Sequence, residues 1–115
     1  MNSLEKQTWK KLSEKLDIEY DKYIENLKTK TPEEIIIYSY ETSCKAEIIA
    51  IFDPEYFDFR ELLALSKDAR PLDELYTGWM DSDVIEMSHS SLRDSMKITA
   101  QYLMQAQMKK MRGER

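Results

Sequence analysis

The chain has 115 residues and a net charge of -5 at pH 7; 42% of its residues are hydrophobic and 34% are charged. A chain of this length builds one helical core but not two, and its composition is too apolar for a disordered protein and too charged for a membrane protein. The negative charge opposes sequence-independent binding to nucleic-acid phosphates, which requires Lys and Arg to displace counterions. We therefore expect one soluble globular domain over residues 1–115.

Residues that favour tight turns are scarce, since the chain contains two glycines and three prolines. Because β-hairpins need more residues that accept positive φ, we predict an all-α fold, a small bundle of about four helices with long first and last helices. Cys44 is the one cysteine, and the N-terminal stretch lacks the apolar segment of a secretion signal. These features predict a cytoplasmic location, with no membrane association and no cofactor.

The first predicted helix runs from Ser3 to about Lys28. Its apolar residues recur every three or four positions, which places them on one face, with Lys and Glu on the other. These residues are Trp9, Leu12, Leu16, Tyr20, Tyr23 and Leu27.

The second predicted helix begins at the sequence Thr31-Pro32-Glu33-Glu34, in which threonine caps the helix, proline takes the first position and the acids favour the helix dipole. It is predicted to continue to about Phe52. The residues expected on its apolar side are Ile36, Ile37, Tyr40, Cys44, Ile48 and Ile51, with Ile35, Ile49 and Phe52 beside them. Because the apolar arc is wide, we expect this helix to be the central and most buried one.

Prolines and acidic residues divide the rest of the chain into further helices. Asp53-Pro54 ends the second helix, and a short helix is predicted from about Asp58 to Ser66. Pro71 opens the next helical stretch. Gly78 and the run from Asp81 to Asp83 introduce either a kink or a break in it.

The last predicted helix carries a seam of residues spaced by four and three positions, namely Ile85, His89, Leu92, Met96, Thr99, Leu103 and Ala106. Such a seam packs on the first helix or on a second copy of the chain, so a homodimer through residues 85–106 is one expectation. Residues 103–115 are expected to be a frayed or basic helical tail.

Several short segments resemble the bacterial family known as domain of unknown function 3848. They are Thr31-Pro32-Glu33-Glu34-Ile35-Ile36, Tyr38-Ser39-Tyr40-Glu41, Lys45-Ala46-Glu47-Ile48-Ile49 and Pro71-Leu72-Asp73-Glu74-Leu75-Tyr76. The resemblance covers roughly residues 4 to 95 and involves helix order and helix starts rather than chemical motifs. It implies an accessory protein of a mobile element or phage of gut Firmicutes, and it carries over no catalytic residue.

Residues suited to catalysis are few. Cys44 and His89 form a nucleophile and base only if the fold brings them together, and the simpler interpretation is a buried apolar cysteine and a polar seam histidine. Two acidic stretches provide a second arrangement: Asp53, Glu55 and Asp58, then Asp73, Glu74, Asp81, Asp83 and Glu86. Together they would hold a divalent cation in a metal-assisted hydrolase, or form a phosphate-mimicking surface. The simpler interpretation is helix caps and a solvated face, with Asp58 and Asp81 at helix starts.

Positive charge is concentrated near the C-terminus, at Lys97, Lys109, Lys110, Arg112 and Arg115. Cations at the end of a helix are favoured by the helix dipole whatever the function. The functional alternative is a regulator that binds nucleic acid through the terminal helix. No aromatic residues alternate with these cations, which opposes that alternative.

Aromatic and methionine side chains are the remaining candidates for a binding surface. Tyr38 departs from the apolar stripe of the second helix, and Tyr56-Phe57 lies in a connection where both rings are expected to face solvent. Met96, Met104, Met108 and Met111 suit an adaptable interface or fill gaps in the core.

These observations predict a non-enzymatic protein that binds a host or element-encoded protein, such as a nucleic-acid-processing enzyme. Inhibition of a host defence nuclease, in the manner of an anti-CRISPR protein, is the concrete form of this prediction. The candidate partner-binding residues are Tyr38, Tyr56, Phe57, Asp73, Glu74, Asp81, Asp83 and Glu86.

Overall fold

The computed structural model describes residues 3–84 and 87–113, and within these ranges it contains six α-helices and no strand. The helices are α1 (Ser3–Leu27), α2 (Pro32–Ile37), α3 (Ser39–Ile51), α4 (Phe59–Lys67), α5 (Pro71–Met80) and α6 (His89–Met111), with a 3₁₀ turn at Pro54–Tyr56. The all-α prediction is confirmed, and α1 and α6 are the long helices. The predicted count of about four helices is wrong, because one predicted helix is divided and the kink or break near Gly78 is a break.

The predicted second helix is divided at Tyr38 into α2 and α3. The Tyr38 carbonyl accepts the backbone N–H of Thr42 at 3.0 Å and also the Thr42 hydroxyl at 3.0 Å. A threonine that bonds back to the carbonyl four residues earlier bends a helix, and the three preceding isoleucines are poor helix formers. Tyr38 departs from helical backbone angles, with φ -87° and ψ 4°, and α2 before it buries no residue whereas α3 after it does.

Helices α5 and α6 are separate, since α5 ends at Met80 and α6 begins at His89. Ser88 caps α6, and its side chain accepts the Ser91 N–H at 3.1 Å. Asp81 follows the end of α5, so its predicted place at a helix start is wrong. Ile85 and the candidate residue Glu86 lie outside the described residues.

Helix α4 is the most buried element, rather than the predicted second helix. It packs between α1 and α6, and α5 packs on α6 and α3. Asp58 caps α4 as predicted, in a reciprocal capping box with Glu61. The buried apolar side chains are Leu12, Leu16, Cys44, Ile48, Ile51, Phe57, Leu62, Ala64, Leu65, Leu72, Leu75, Trp79, Leu92, Met96, Ala100 and Leu103.

The seam of the last helix is used inside the chain. Leu92, Met96, Thr99 and Leu103 are buried, and α6 packs on α4 and α5 rather than mainly on the first helix. His89 and Ala106 at the two ends are exposed. The middle of this seam therefore leaves no apolar face for a second copy, and α6 stays helical to Met111 instead of fraying at residue 103.

None of the described helices has the length and apolar character needed to span a membrane.

Candidate protein-binding surface

Helix α2 lies on the surface of the protein with its apolar side chains in solvent. Ile36 is 71% exposed and Ile37 is 75% exposed, and no residue of α2 is buried. Ile35, Tyr38 and Tyr40 beside them are also exposed. These five residues, Ile35 to Ile37 with Tyr38 and Tyr40, are here named the α2 patch. The prediction that Ile36, Ile37 and Tyr40 pack inward is wrong, whereas the predicted exposure of Tyr38 is confirmed.

The α2 patch is fixed to the rest of the fold through hydrogen bonds at its edges. The Tyr23 hydroxyl of α1 lies 2.9 Å from the Thr42 hydroxyl and donates to the Tyr38 carbonyl at 3.4 Å. The hydroxyl of Tyr40 accepts the indole N–H of Trp79 at 3.0 Å. Because the backbone at Tyr38 and the ring of Tyr40 are tied to other helices, the three isoleucines that directly precede Tyr38 are held at their C-terminal end.

Carboxylates border the α2 patch on the side where α2 begins. Thr31 caps α2 by accepting the Glu34 N–H at 3.2 Å, so that Glu33 and Glu34 stand in the first turn. Both residues favour the positive end of the helix dipole there. The patch is therefore an apolar surface with an acidic border.

A buried lysine, Lys45, lies where α1, α3 and α5 meet, and no motif in the sequence indicated it. The Lys45 ammonium is 2.7 Å from a Glu41 oxygen, 3.4 Å from an Asp73 oxygen and 4.2 Å from the centre of the Tyr23 ring. Its side chain is only 6% exposed. Two carboxylates and an aromatic face compensate the charge, so Lys45 ties α3 to α5 and α1.

The phenols around Lys45 resist ionisation. Burial raises the pKa of Tyr76 to about 12, and the nearby Glu41 carboxylate acts in the same direction. Burial also raises the pKa of Tyr23, although its hydrogen bond with Thr42 acts against this. Both rings are therefore neutral at physiological pH and leave the two carboxylates to balance the lysine.

Of the predicted solvent-facing pair Tyr56-Phe57, only Tyr56 is exposed. Phe57 is only 7% exposed and stacks on Phe52 with ring centres 5.1 Å apart, so the prediction that it faces solvent is wrong. Tyr56 is 38% exposed, but the Arg93 guanidinium lies 5.3 Å from its ring. Phe57 follows the 3₁₀ turn directly, and its ring is part of the core because it stacks on Phe52.

The predicted acidic candidates are distributed along α5. Asp73 and Glu74 lie in its first turn, and Asp81 and Asp83 follow its last residue. A ten-residue helix is about 15 Å long, so the two pairs are too far apart for one contact point. Burial raises the pKa of Glu74, and the carboxylates of Asp68 and Asp73 raise it further.

The earlier acidic stretch serves as helix caps. Asp53 accepts the Glu55 N–H at 3.0 Å, and Asp58 accepts the Glu61 N–H at 2.9 Å. Over the part of the chain that the structure describes, no three or more His, Cys, Asp or Glu side chains are grouped to hold a metal ion. The arrangement expected for a metal-assisted hydrolase gains no support from these residues.

The fold brings Cys44 and His89 to the wall of one depression of about 330 Å³. Burial raises the pKa of the Cys44 thiol, which opposes formation of the nucleophilic thiolate. His89 Nε2 lies 2.6 Å from a Glu47 oxygen and joins the start of α6 to α3. The geometry is that of a surface contact between a histidine and a carboxylate beside a buried thiol.

The predicted basic cluster is divided by the fold. The Lys97 ammonium lies 2.6 Å from an oxygen of Glu61, whose side chain is 1% exposed, and donates to the Tyr56 carbonyl. Lys97 is thus part of the packing between α6 and α4. Lys109 and Lys110 are exposed in the last turn of α6, whereas Arg115 lies outside the described residues.

Comparison of the chain with models of protein families, with curated proteins and with solved structures found no match. The resemblance to the domain of unknown function 3848 family therefore stays a prediction.

Proposed function

We propose that this chain is a non-enzymatic protein-binding domain whose contact surface is the α2 patch. The observation that carries the proposal is the exposure of adjacent isoleucines, Ile36 and Ile37, on a helix that buries none of its residues. Isolated exposed apolar residues are common, but contiguous patches bordered by polar groups mark interaction sites. Tyr38 and Tyr40 add aromatic area of the kind that anchors interfaces.

The acidic border of the patch defines the chemistry of the partner. Glu33 and Glu34 favour a protein surface on which apolar residues are bordered by Lys and Arg, and the net charge of -5 acts in the same sense during encounter. Basic surfaces of this kind occur on enzymes that process nucleic acids. Together with the resemblance to a mobile-element family, this supports an accessory protein that inhibits a host defence nuclease.

Binding of a tagged chain to such a nuclease tests the proposal when wild type and variants are compared at equal concentration. The double variant Ile36→Ser/Ile37→Ser is expected to bind about 100-fold more weakly, because each isoleucine loses roughly 1.5 kcal/mol of apolar burial. Glu33→Lys/Glu34→Lys is expected to slow association with a basic partner.

Ile98→Ser provides the matched control, because Ile98 is 66% exposed and lies on α6 outside the patch. Ile36, Ile37 and Ile98 are exposed, so the serine variants are expected to unfold within about 0.5 kcal/mol of wild type. Glu33→Lys/Glu34→Lys is expected to lose about 1–2 kcal/mol, because it reverses two charges in the first turn of α2 and removes the contact of Glu34 with the Thr31 hydroxyl, so its binding is compared at a temperature where it is folded. Equal binding by wild type and Ile36→Ser/Ile37→Ser would contradict the proposal. A protein that binds wild type and Ile36→Ser/Ile37→Ser equally well does not count as a partner of the α2 patch.

The competing function is a regulator that binds nucleic acid, which the exposure of Lys109 and Lys110 favours. It predicts binding to duplex DNA or to RNA that weakens steeply with salt and is lost in Lys109→Gln/Lys110→Gln. The isoleucine variant would leave this binding unchanged. The two functions are thus separated by two pairs of substitutions on different helices.

A further inference from the structure

A second apolar surface lies between α4 and the end of α6, in a groove of about 420 Å³. Its residues are Arg60, Leu63, Ala64, Lys67, Met104, Gln107, Met108 and Met111. This is named the methionine groove. The Gln107 amide donates to the Ala64 carbonyl at 2.9 Å and holds the two helices together at its floor.

Helix periodicity places the residues of the groove on two facing stripes. Arg60 and Lys67 are seven residues apart on α4 and so lie on one face, with Leu63 and Ala64 between them. Met104 and Met111 have the same spacing on α6. Met108 is 44% exposed and Met111 is 81% exposed, so the methionines are open to a ligand. Flexible thioether chains of this kind adapt to the side chains of a docked helix.

The charges around the groove are positive. Arg60 and Lys67 border it on α4, and among the residues that the structure describes no carboxylate lines it. Lys110 and Lys67 line the adjoining depression, together with Asp68. The groove therefore suits a short apolar helix that carries carboxylates, and α2 has this chemistry in Glu33, Glu34 and the isoleucines that follow.

We propose that the methionine groove binds helix α2 of a second copy of the chain. Glu33 and Glu34 of one copy would meet Arg60 and Lys67 of the other, while Ile36 and Ile37 cover the methionines. The six residues of α2 extend about 9 Å and fit within the roughly 10.5 Å between Arg60 and Lys67 on α4. Because Glu33 and Glu34 are adjacent, the long side chains of Arg60 and Lys67 would converge on the first turn of α2. Both exposed apolar surfaces are covered by the same contact.

This contact joins two different surfaces, so it produces head-to-tail assembly as a ring or an open chain rather than a symmetric pair. A six-residue helix buries little area, and association is therefore weak and dependent on concentration. The inference goes beyond the proposed function and uses the same helix. Self-association covers the α2 patch and competes with a protein partner, so a partner would release copies from the assembly.

A charge-swap experiment by sedimentation velocity tests the inference over a wide range of protein concentration. One variant carries Glu33→Lys/Glu34→Lys and the other carries Arg60→Glu/Lys67→Glu. Each places like charges on α2 and on the groove of its own copies, so each is expected to remain monomeric where wild type associates. In an equimolar mixture every α2 meets a groove of opposite charge, and association is expected to return.

The matched control for the groove variant is Lys10→Glu/Lys11→Glu, which makes the same change of net charge as Arg60→Glu/Lys67→Glu at two exposed positions on α1. This control is expected to associate as wild type does. The inference is overturned if wild type stays monomeric at about 1 mM, a concentration that reveals even weak contacts. It is also overturned if the groove variant associates normally, or if the mixture fails to associate.

The same variants separate this inference from the proposed function. Arg60→Glu/Lys67→Glu leaves α2 intact and is expected to keep binding the protein partner while losing self-association. Ile36→Ser/Ile37→Ser is expected to lose both. If self-association fails while the partner still binds, only the groove is excluded. If self-association follows the prediction and no basic partner binds, only the proposed function is excluded.

Discussion

Lys15 and Glu19 lie one turn apart on α1 and hold the two ends of the short connection between α4 and α5 with opposite charges. The Lys15 ammonium donates to the carbonyls of Ser66 and Asp68 at the end of α4. Each oxygen of Glu19 accepts one backbone N–H at the start of α5, from Leu72 at 2.8 Å and from Asp73 at 2.9 Å. Each charge matches the dipole of the helix end that it contacts, so α1 fixes how α4 and α5 meet.

Glu19 supplies the cap that α5 lacks in its own sequence, because the side chain of Arg70 makes no capping bond. Burial raises the pKa of Glu19, although the two N–H bonds lower it. Glu19→Ala removes both acceptors and is expected to reduce the free energy of unfolding by about 1–2 kcal/mol. Urea denaturation at neutral pH measures the loss. Glu14→Ala, at an exposed position on the same helix, is the control, and an equal loss in both variants would contradict the capping role.

Gly78 marks the closest approach of α5 to α6. A Cβ built on Gly78 would lie 2.0 Å from the Thr99 hydroxyl oxygen. Gly78→Ala is therefore expected to destabilise the protein by about 1–3 kcal/mol, although alanine favours the helix. In the background Thr99→Ala the hydroxyl is removed and only the Cβ of residue 99, at 3.2 Å, stays close, so Gly78→Ala is expected to cost at least about 1 kcal/mol less than it does with Thr99. A double-mutant cycle by chemical denaturation checks this, and an equal cost of Gly78→Ala in both backgrounds would exclude the steric explanation.

The starts of α2 and α4 were predictable because they depend on local chemistry. The side chains of Thr31 and Asp58 each accept the backbone N–H of the residue three positions later. A capping residue followed by an acid at this spacing is recognised from the sequence alone. The contacts that join α1 to α5 were not predictable, since Glu19 lies 53 residues before Leu72 in the chain. In the sequence, Gly78 indicated a kink or break in the helix. In the structure, its lack of a side chain lets α5 pack against Thr99 of α6.

The candidate surface was predicted only in part, through Tyr38. Ile36 and Ile37 were predicted to pack inward because the spacing of the apolar residues was interpreted as one straight helix from Pro32 to Phe52. The signal against this assumption was present in Thr42, four residues after Tyr38, whose hydroxyl bonds to the Tyr38 carbonyl. The burial of Lys45 could not be predicted, because the groups that compensate its positive charge include Tyr23 and Asp73, which are distant in the sequence.

Lys97 and Glu61 form an ion pair in which the carboxylate is almost completely buried. Lys97→Met leaves Glu61 with the N–H of Asp58 as its remaining hydrogen-bond donor within the described residues. The expected loss of stability is about 2–3 kcal/mol, below the range for a fully buried pair because Lys97 is partly exposed. The second change Glu61→Gln should recover part of it by removing the charge. Thermal unfolding of Lys97→Met and of Lys97→Met/Glu61→Gln measures both effects, with Lys109→Met as the exposed control. A loss of stability in Lys109→Met as large as that in Lys97→Met would rule out a specific contribution of the Lys97–Glu61 pair.

Tyr76 gives the protein a specific sensitivity to alkaline pH. Its pKa is raised by burial from 10.0 to about 12 in the folded protein. The unfolded chain therefore releases this proton at lower pH, so the stability linked to the neutral phenol is present below pH 10 and lost as pH rises through about 12. Tyr76→Phe removes this proton, and its free energy of unfolding is expected to fall less steeply than that of wild type across the window.

Urea denaturation at several alkaline pH values measures the two slopes, and ultraviolet absorbance of tyrosinate identifies the group that titrates last. Tyr102→Phe is the control because Tyr102 is 71% exposed on α6. Lys45, whose ammonium lies 5.6 Å from the centre of the Tyr76 ring, is retained in all three proteins, so it does not account for a difference between their curves. Parallel slopes for wild type and Tyr76→Phe would show that the phenol is free to ionise in the folded protein. A flatter slope for Tyr76→Phe alone would assign the alkaline loss of stability to the Tyr76 phenol.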